Sequence, residues 1–236
     1  MQNLTLVIPL AGKIDKNFLM HGLNMPKCLI QNQSGTSLLQ SSLSSINFDR
    51  QVEIHFILNG EDKNLPSLEK EINEKFSNSN ILKIRSTSRG ALESCFILTQ
   101  KFLQKDDHLA IFLPDIKFLK KISLLSMTEI NADGWIPGFF SNSDKHSYLF
   151  TEANLVTRTE EKKVISNTAS AGFYFFNNVK DFNIAAESNI KNQQFFICPV
   201  YNFLIQKNKK VFYDYFDVAK CGTYEEVLEN HINKHD

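Results

Sequence analysis

The sequence predicts an α/β domain: a mostly parallel sheet flanked by helices, with an insertion of mixed strands in its second half. Three observations carry that expectation. Through the first 120 residues, strand-like apolar runs alternate with segments of helical periodicity, joined by short links. The first run, residues 4–10 (LTLVIPL), is a buried-type strand that passes directly into Ala11-Gly12. Beyond residue 120 the alternation gives way to strand-like segments separated by polar turns.

The elements follow in order. Residues 4–10 form the first strand, 37–46 a short helix and 52–58 (VEIHFIL) the second strand, closed by Asn59-Gly60. Residues 68–76 carry Leu68, Ile72 and Phe76 at helical spacing. A third strand covers 81–84. A helix over 91–103 places Leu92, Cys95, Phe96 and Leu103 at helical spacing, and a fourth strand over 108–113 ends at Pro114-Asp115. The insertion contributes strands at 132–140, 148–155 and 172–176. Residues 194–206 read as a helix, 210–215 as a strand and 224–232 as a terminal amphipathic helix. Thr223 is its N-cap, with Glu225 and Glu226 in the first turn, where negative charge is favoured. With no repeat, linker or low-complexity segment, the chain is expected to be one domain over 1–236.

At 236 residues the chain can bury a substantial core, and 20 phenylalanines with few prolines and glycines make it globular. Lys and Arg balance Asp and Glu at 26 each, so no global field attracts nucleic acid or an anionic membrane. Positive charge for an anionic ligand must be local. The four cysteines, Cys28, Cys95, Cys198 and Cys221, have neither CxxC nor zinc spacing and read as buried free thiols. No pair of the six histidines has ligand spacing, so all six are expected to be structural or exposed. The N-terminus lacks the pattern of a signal peptide and no apolar run approaches a membrane span, from which a cytoplasmic location is expected.

Ligands of such sheets bind outside the carboxyl ends of the strands. Gly12 and Asp115 both fall at such ends and are expected to face one crevice. Leu10, Ala11 and Gly12 form a small-residue turn whose backbone can approach a phosphate. Lys27, fixed by Pro26, offers one cation. Asp115 can hold Mg²⁺ against a triphosphate, or it can simply end a strand. Ser88, Gly90 and Ala91 stand at a helix start where a flat ring could lie against backbone, or where a loop simply joins a helix. Lys162 lies in a charged turn.

Taken in order, these segments resemble the nucleotidyltransferase family that activates sugar phosphates with nucleoside triphosphates. The likeness runs from Ile8-Pro9-Leu10-Ala11-Gly12 and Met25-Pro26-Lys27 through Gly90-Ala91-Leu92-Glu93-Ser94 and Leu113-Pro114-Asp115. It continues in Glu161-Lys162, Ala171-Gly172-Phe173-Tyr174-Phe175, residues 199–205 (PVYNFLI) and Cys221-Gly222-Thr223. The resemblance implies a Rossmann-like, GT-A-like fold with a nucleotide-binding part over about 1–120 plus 205–236 and an acceptor-binding part over about 121–204. It implies transfer of a nucleotide to a phosphorylated acceptor, with release of pyrophosphate, in surface-polysaccharide or cell-envelope assembly. The expected partners are a nucleoside triphosphate and a phosphorylated small molecule, with no nucleic acid and no membrane, the chain being a monomer or homodimer. A cytidylyltransferase acting on a non-sugar acceptor and a non-catalytic nucleotide-binding relative are the alternatives. A glycosyltransferase would require Asp-x-Asp where this chain has Asp115-Ile116-Lys117.

Carried over residue by residue, the resemblance makes Lys27, Lys16, Asp115 and Lys162 catalytic. Leu10, Ala11, Gly12, Lys27, Ser88, Gly90, Ala91 and Asp115 would bind nucleotide. Lys162, Gly172, Tyr201, Asn202 and Lys220 would bind acceptor, and Mg²⁺ would be held by Asp115, with Asp217 a further candidate. Two positions depart from the family pattern. Residues 13–18 (KIDKNF) lack the second glycine and the arginine, leaving Lys16 to supply charge without a planar fork. Lys220 stands where an acidic metal ligand is usual; it would repel Mg²⁺ or bind a phosphate directly.

Overall fold

The computed structural model describes residues 2–48, 52–85 and 88–233, the side chain of Leu125 apart. The chain opens with β1 (Leu4–Pro9), a short helix α1 (Lys16–Met20) and a 3-10 turn over Lys27–Leu29, then α2 (Leu38–Leu43), β2 (Ile46–Asn47), β3 (Val52–Asn59), α3 (Leu65–Lys75) and β4 (Ser79–Ile84). Next come α4 (Ala91–Phe102), β5 (His108–Phe112), β6 (Ile116–Phe118), β7 (Ile122–Ser123) and α5 (Leu124–Thr128). The mixed region contains β8 (Gly134–Phe140), β9 (Ser147–Glu152), β10 (Leu155–Glu161), β11 (Thr168–Ser170) and β12 (Phe173–Phe176). It is followed by α6 (Val179–Lys191), α7 (Val200–Gln206), β13 (Val211–Tyr215), β14 (Val218–Lys220) and α8 (Tyr224–Val227), which runs into a π-helical turn at Leu228–Ile232.

Ten of these strands form one sheet in the order β11-β9-β10-β13-β8-β12-β5-β1-β3-β4. Its inner strands read as apolar runs because both faces are covered. Leu6 and Ile8 of β1, Ala110 and Phe112 of β5, and Phe173 and Phe175 of β12 enter one core. Val7, Leu109, Ile111, Tyr174 and Phe176 point the other way into a second core, which α4, α6 and α7 complete. This is the period-two alternation of a strand, with apolar side chains demanded on both sides.

Within this sheet, parallel pairing is confined to β4-β3-β1-β5 and one later pair, β13–β8. β12 enters antiparallel to β5 and β8, and β9, β10 and β11 join by antiparallel ladders. The sheet is therefore mixed, and less parallel than the sequence pattern suggests. Tight connections such as the β9–β10 hairpin, turned at Ala153 with φ of 53°, need no crossover helix, so the strands they link run antiparallel.

Several boundaries also differ. The expected 148–155 strand is β9 and the hairpin turn, ending at the first residue of β10, and the charged stretch before Lys162 belongs to β10. The 194–206 helix is only α7, because residues 192–199 are held by turns and by the Leu92 N–H on the Phe195 carbonyl. α6, not anticipated at all, is capped by the Asn178 side chain accepting from the Asp181 N–H, and buries Val179, Phe182, Ala185 and Ala186. The terminal helix is four residues long before its π turn. All four cysteines are buried and free, and no helix among the described residues is long and apolar enough to cross a membrane.

Candidate active site

The site forms where β1 and β5 end. After β5 the chain turns at Pro114, whose carbonyl accepts from the Ser42 hydroxyl at 3.2 Å. Asp115 is fixed through its backbone: its N–H donates to the Leu113 carbonyl and its own carbonyl accepts from the Cys221 N–H, each at 2.8 Å. Lys27, on the 3-10 turn that Pro26 starts, brings its ammonium 3.1 Å from Asp115 Oδ2 and 3.5 Å from the Gly222 carbonyl. Three distant stretches of chain thus meet in one ion pair, with both partners about one-third exposed.

Two clefts share this junction. A cleft of about 260 Å³ runs from Pro9, Leu10 and Gly12 past Lys13 and Lys27 to Asp115. A second, of about 210 Å³, lies on the other side of Leu113 and Asp115, between Gly172, Lys220 and Phe196. Gly12 and Asp115 do face one crevice, the first cleft. Nothing lies within 4 Å of where a Gly12 Cβ would be, so the turn looks onto open space. Gly172 has φ of 67°, which favours glycine, and a Cβ there would stand 3.5 Å from Leu113 and 3.7 Å from Asp115 Oδ1.

The second cleft is polarised. Near Asp115 it carries Lys220, whose ammonium is 3.3 Å from Glu226 Oε1, and His146. Burial, with Lys220 and Lys145, holds the His146 imidazole below its ordinary value, while Glu226 and Asp115 oppose the shift. Further along the lining, the Ser147 hydroxyl bonds the Glu161 carboxylate, which burial pushes above the usual range. Burial, with Asp115 and Glu226 nearby, pushes the Cys221 thiol up to about 12, which favours the protonated form.

The remaining candidates are placed as follows. Ala11 is buried behind the Gly12 turn. Lys16 is exposed at the start of α1 and does not line either cleft, whereas Lys13 does. Ser88 accepts from the Ser94 hydroxyl at 2.6 Å; Thr87, beside it, lies outside the described residues. Gly90 has extended backbone, and its Cβ direction is filled by Phe195, so protein rather than open space abuts it. Ala91 lines the second cleft, not the first. Lys162 is exposed at the rim, its ammonium 5.1 Å from the centre of the Phe196 ring.

Three expectations are corrected. Tyr201 is fully buried and donates its phenol to the Phe175 carbonyl at 2.7 Å, leaving no face for an acceptor. The Asn202 amide is consumed by the backbone of Thr159, accepting from its N–H and donating to its carbonyl at 2.8 Å each. Asp217 is exposed at the far end of the β14–β6 ladder, where its carbonyl accepts from the Leu119 N–H. Lys220, three residues on, is the residue opposite Ile116, so Asp217 lies roughly 10 Å along the strand from the Asp115 end. Half-buried His146, with Lys145 and Glu226, lines the second cleft, which the sequence did not indicate. A lone histidine in a polar loop carries no local signal of that.

Mg²⁺ was expected here. Among the described residues no group of three His, Cys, Asp or Glu side chains could hold a metal ion. A single carboxylate, Asp115, still fits an ion carried mainly by nucleotide phosphates and water; a cage of protein carboxylates does not fit.

No family model and no curated protein matches the chain. Solved structures do. A nucleoside-diphosphate-sugar pyrophosphorylase from Vibrio cholerae RC9 superposes with a TM-score of 0.83 at 22% identity, covering 95% of this chain and 98% of that one. A protein assigned as a glucose-1-phosphate thymidylyltransferase from Bacillus anthracis gives 0.77 at 14% identity over 99% and 98% of the two chains. The inositol-1-phosphate CTP transferase from T. maritima gives 0.72 at 11% identity over 95% and 91%. At these identities the likeness is one of fold: the chain has the mixed α/β fold of these nucleotidyltransferase structures.

Proposed function

We propose that the protein is a nucleotidyltransferase that joins a nucleoside triphosphate to a phosphorylated small-molecule acceptor and releases pyrophosphate. The observation that carries this reading is the pair of clefts meeting at Asp115 and Lys27. Such a reaction needs two anionic ligands brought end to end, with their repulsion neutralised at the junction. The nucleotide occupies the Gly12 cleft, its phosphates against the turn, Lys13 and Lys27. The acceptor occupies the Gly172 cleft. An oxygen of its phosphate forms the new bond to the α-phosphorus, the bond from that phosphorus to the bridging oxygen breaks, and the electron pair leaves with pyrophosphate. The Lys27 ammonium, freed from Asp115 as the nucleotide enters, offsets charge on the departing group. Mg²⁺ on the nucleotide supplies further neutralisation of the phosphates, and Asp115 is the carboxylate that would hold it. Glu161 and Ser147 offer hydrogen-bond acceptors to hydroxyl groups of the acceptor's body. The fold shared with sugar-nucleotide enzymes supports a sugar phosphate, used in surface-polysaccharide or envelope assembly.

Pyrophosphate release is measured with ATP, CTP, GTP, UTP and dTTP against pooled sugar and non-sugar phosphates, with and without Mg²⁺. Release with one triphosphate, dependent on acceptor, is expected. Asp115→Asn should lower it by about 10²-fold. Nucleotide binding without release in any combination would refute the enzymatic reading.

A further inference from the structure

Which groups receive the acceptor's phosphate is decided at the end of the second cleft that adjoins Asp115. Lys162 is not among the residues that line that cleft. Its φ of 53° and its N–H bond to the His146 carbonyl, 3.0 Å, hold the backbone at the rim, and its ammonium lies over Phe196. Lys220 is built into the reacting end. It pairs in the ladder with Ile116, the residue after Asp115, and the next residue, Cys221, donates to the Asp115 carbonyl.

The ammonium of Lys220 is retained by Glu226 Oε1, while Glu226 Oε2 accepts from the Gly222 and Thr223 N–H groups at 3.0 and 3.1 Å. Glu226 therefore keeps two donors if Lys220 turns to another anion. His146 enters the same end from the β8–β9 loop. Its ring is edge-on to Phe139 at 5.1 Å, and Glu226, Lys220, Asp115 and Lys145 are the charged groups acting on it.

We propose that the acceptor's phosphate is received by Lys220 and His146, with Lys145 at the mouth, and not by Lys162. This rests on the nucleotidyltransferase reading, since it presumes a phosphorylated acceptor. Lys27 serves Asp115 and then the nucleotide's phosphates, so a second anion arriving beside Asp115 needs a cation of its own. Lys220 is placed on that wall to supply it, and the neutral imidazole of His146 donates one N–H to a phosphate oxygen.

The probe is inorganic phosphate, titrated into the protein labelled with 15N-histidine, with the His146 ring signals assigned from H146Q. In the wild type those signals should move with phosphate. K220Q should weaken the apparent affinity about tenfold, K220R should restore it, and K162A should leave it within about twofold. Unchanged signals of the other histidines report that each variant is folded. The proposal is overturned if His146 does not respond, if K220Q responds like the wild type, or if K162A abolishes the response. Failure of the enzymatic reading would appear separately, as absent pyrophosphate release with the phosphate titration intact.

Discussion

Replacing Gly90 by alanine separates two reasons for a glycine at the start of α4. If the position serves a ligand, the methyl group should remove nucleotide binding and leave stability alone. The structure gives a different expectation. The methyl would overlap the Phe195 carbonyl oxygen and come within 2.7 Å of the Phe195 Cβ. It would also disturb the bond from the Leu92 N–H to that carbonyl, 3.1 Å. Overpacking of this kind costs about 1–3 kcal/mol and a lost hydrogen bond about 1 kcal/mol. Extended backbone near φ of 174° is open to alanine, so reduced freedom of the unfolded chain returns about 0.5 kcal/mol. The net expectation is roughly 2 kcal/mol of destabilisation, or about 4–8 °C in melting temperature for a chain of this size. Because Phe196 and Ile197 follow Phe195 into the wall of the second cleft, the acceptor KM should rise while nucleotide binding persists. Urea denaturation with an unchanged slope, together with nucleotide titration, measures both. Wild-type stability combined with lost nucleotide binding would refute the packing argument.

Buried side chains with defined partners carry further expectations. Asn202→Ala leaves both backbone groups of buried Thr159 without their partners, and should destabilise by roughly 2–4 kcal/mol with no change in acceptor KM where the protein is folded. Tyr201→Phe should cost about 1–2 kcal/mol, again without a kinetic signature; an acceptor-specific KM effect in either variant would restore the binding role. His146 has a folded-state pKa below its unfolded one, so between those values the unfolded chain binds more protons. Its contribution is present above the ordinary histidine value of about 6.5 and lost as pH falls through the depressed folded value. Denaturation at a series of pH values should therefore show a loss between neutral and mildly acid pH that His146→Gln reduces, and parallel curves for the two proteins would count against it.

The sequence by itself determined the strands that build the middle of the sheet. Leu6-Val7-Ile8 and Ile111-Phe112 are legible because a strand covered on both faces has no polar position to interrupt it. It also put Gly12 and Asp115 at strand ends, where the architecture opens its crevice. α6 was hidden because exposed Lys180 and Glu187, with half-buried Asp181 and Asn183, dilute a stripe of Val179, Phe182, Ala185 and Ala186 whose two alanines carry little signal. β10 was hidden because residues 159–163 (TEEKK) read as a solvated charged turn, although Thr159 is fully buried. Only the tertiary structure decided which polar residues line the two clefts. Tyrosine and asparagine side chains satisfy a core carbonyl or a substrate equally well, and nothing near Tyr201 or Asn202 in the chain names Phe175 or Thr159 as the partner. The same holds for the Lys27–Asp115 pair and for Lys220 and His146 in the lining of one cleft: periodicity records which face of an element is buried, whereas these placements depend on strand order and register across the whole sheet.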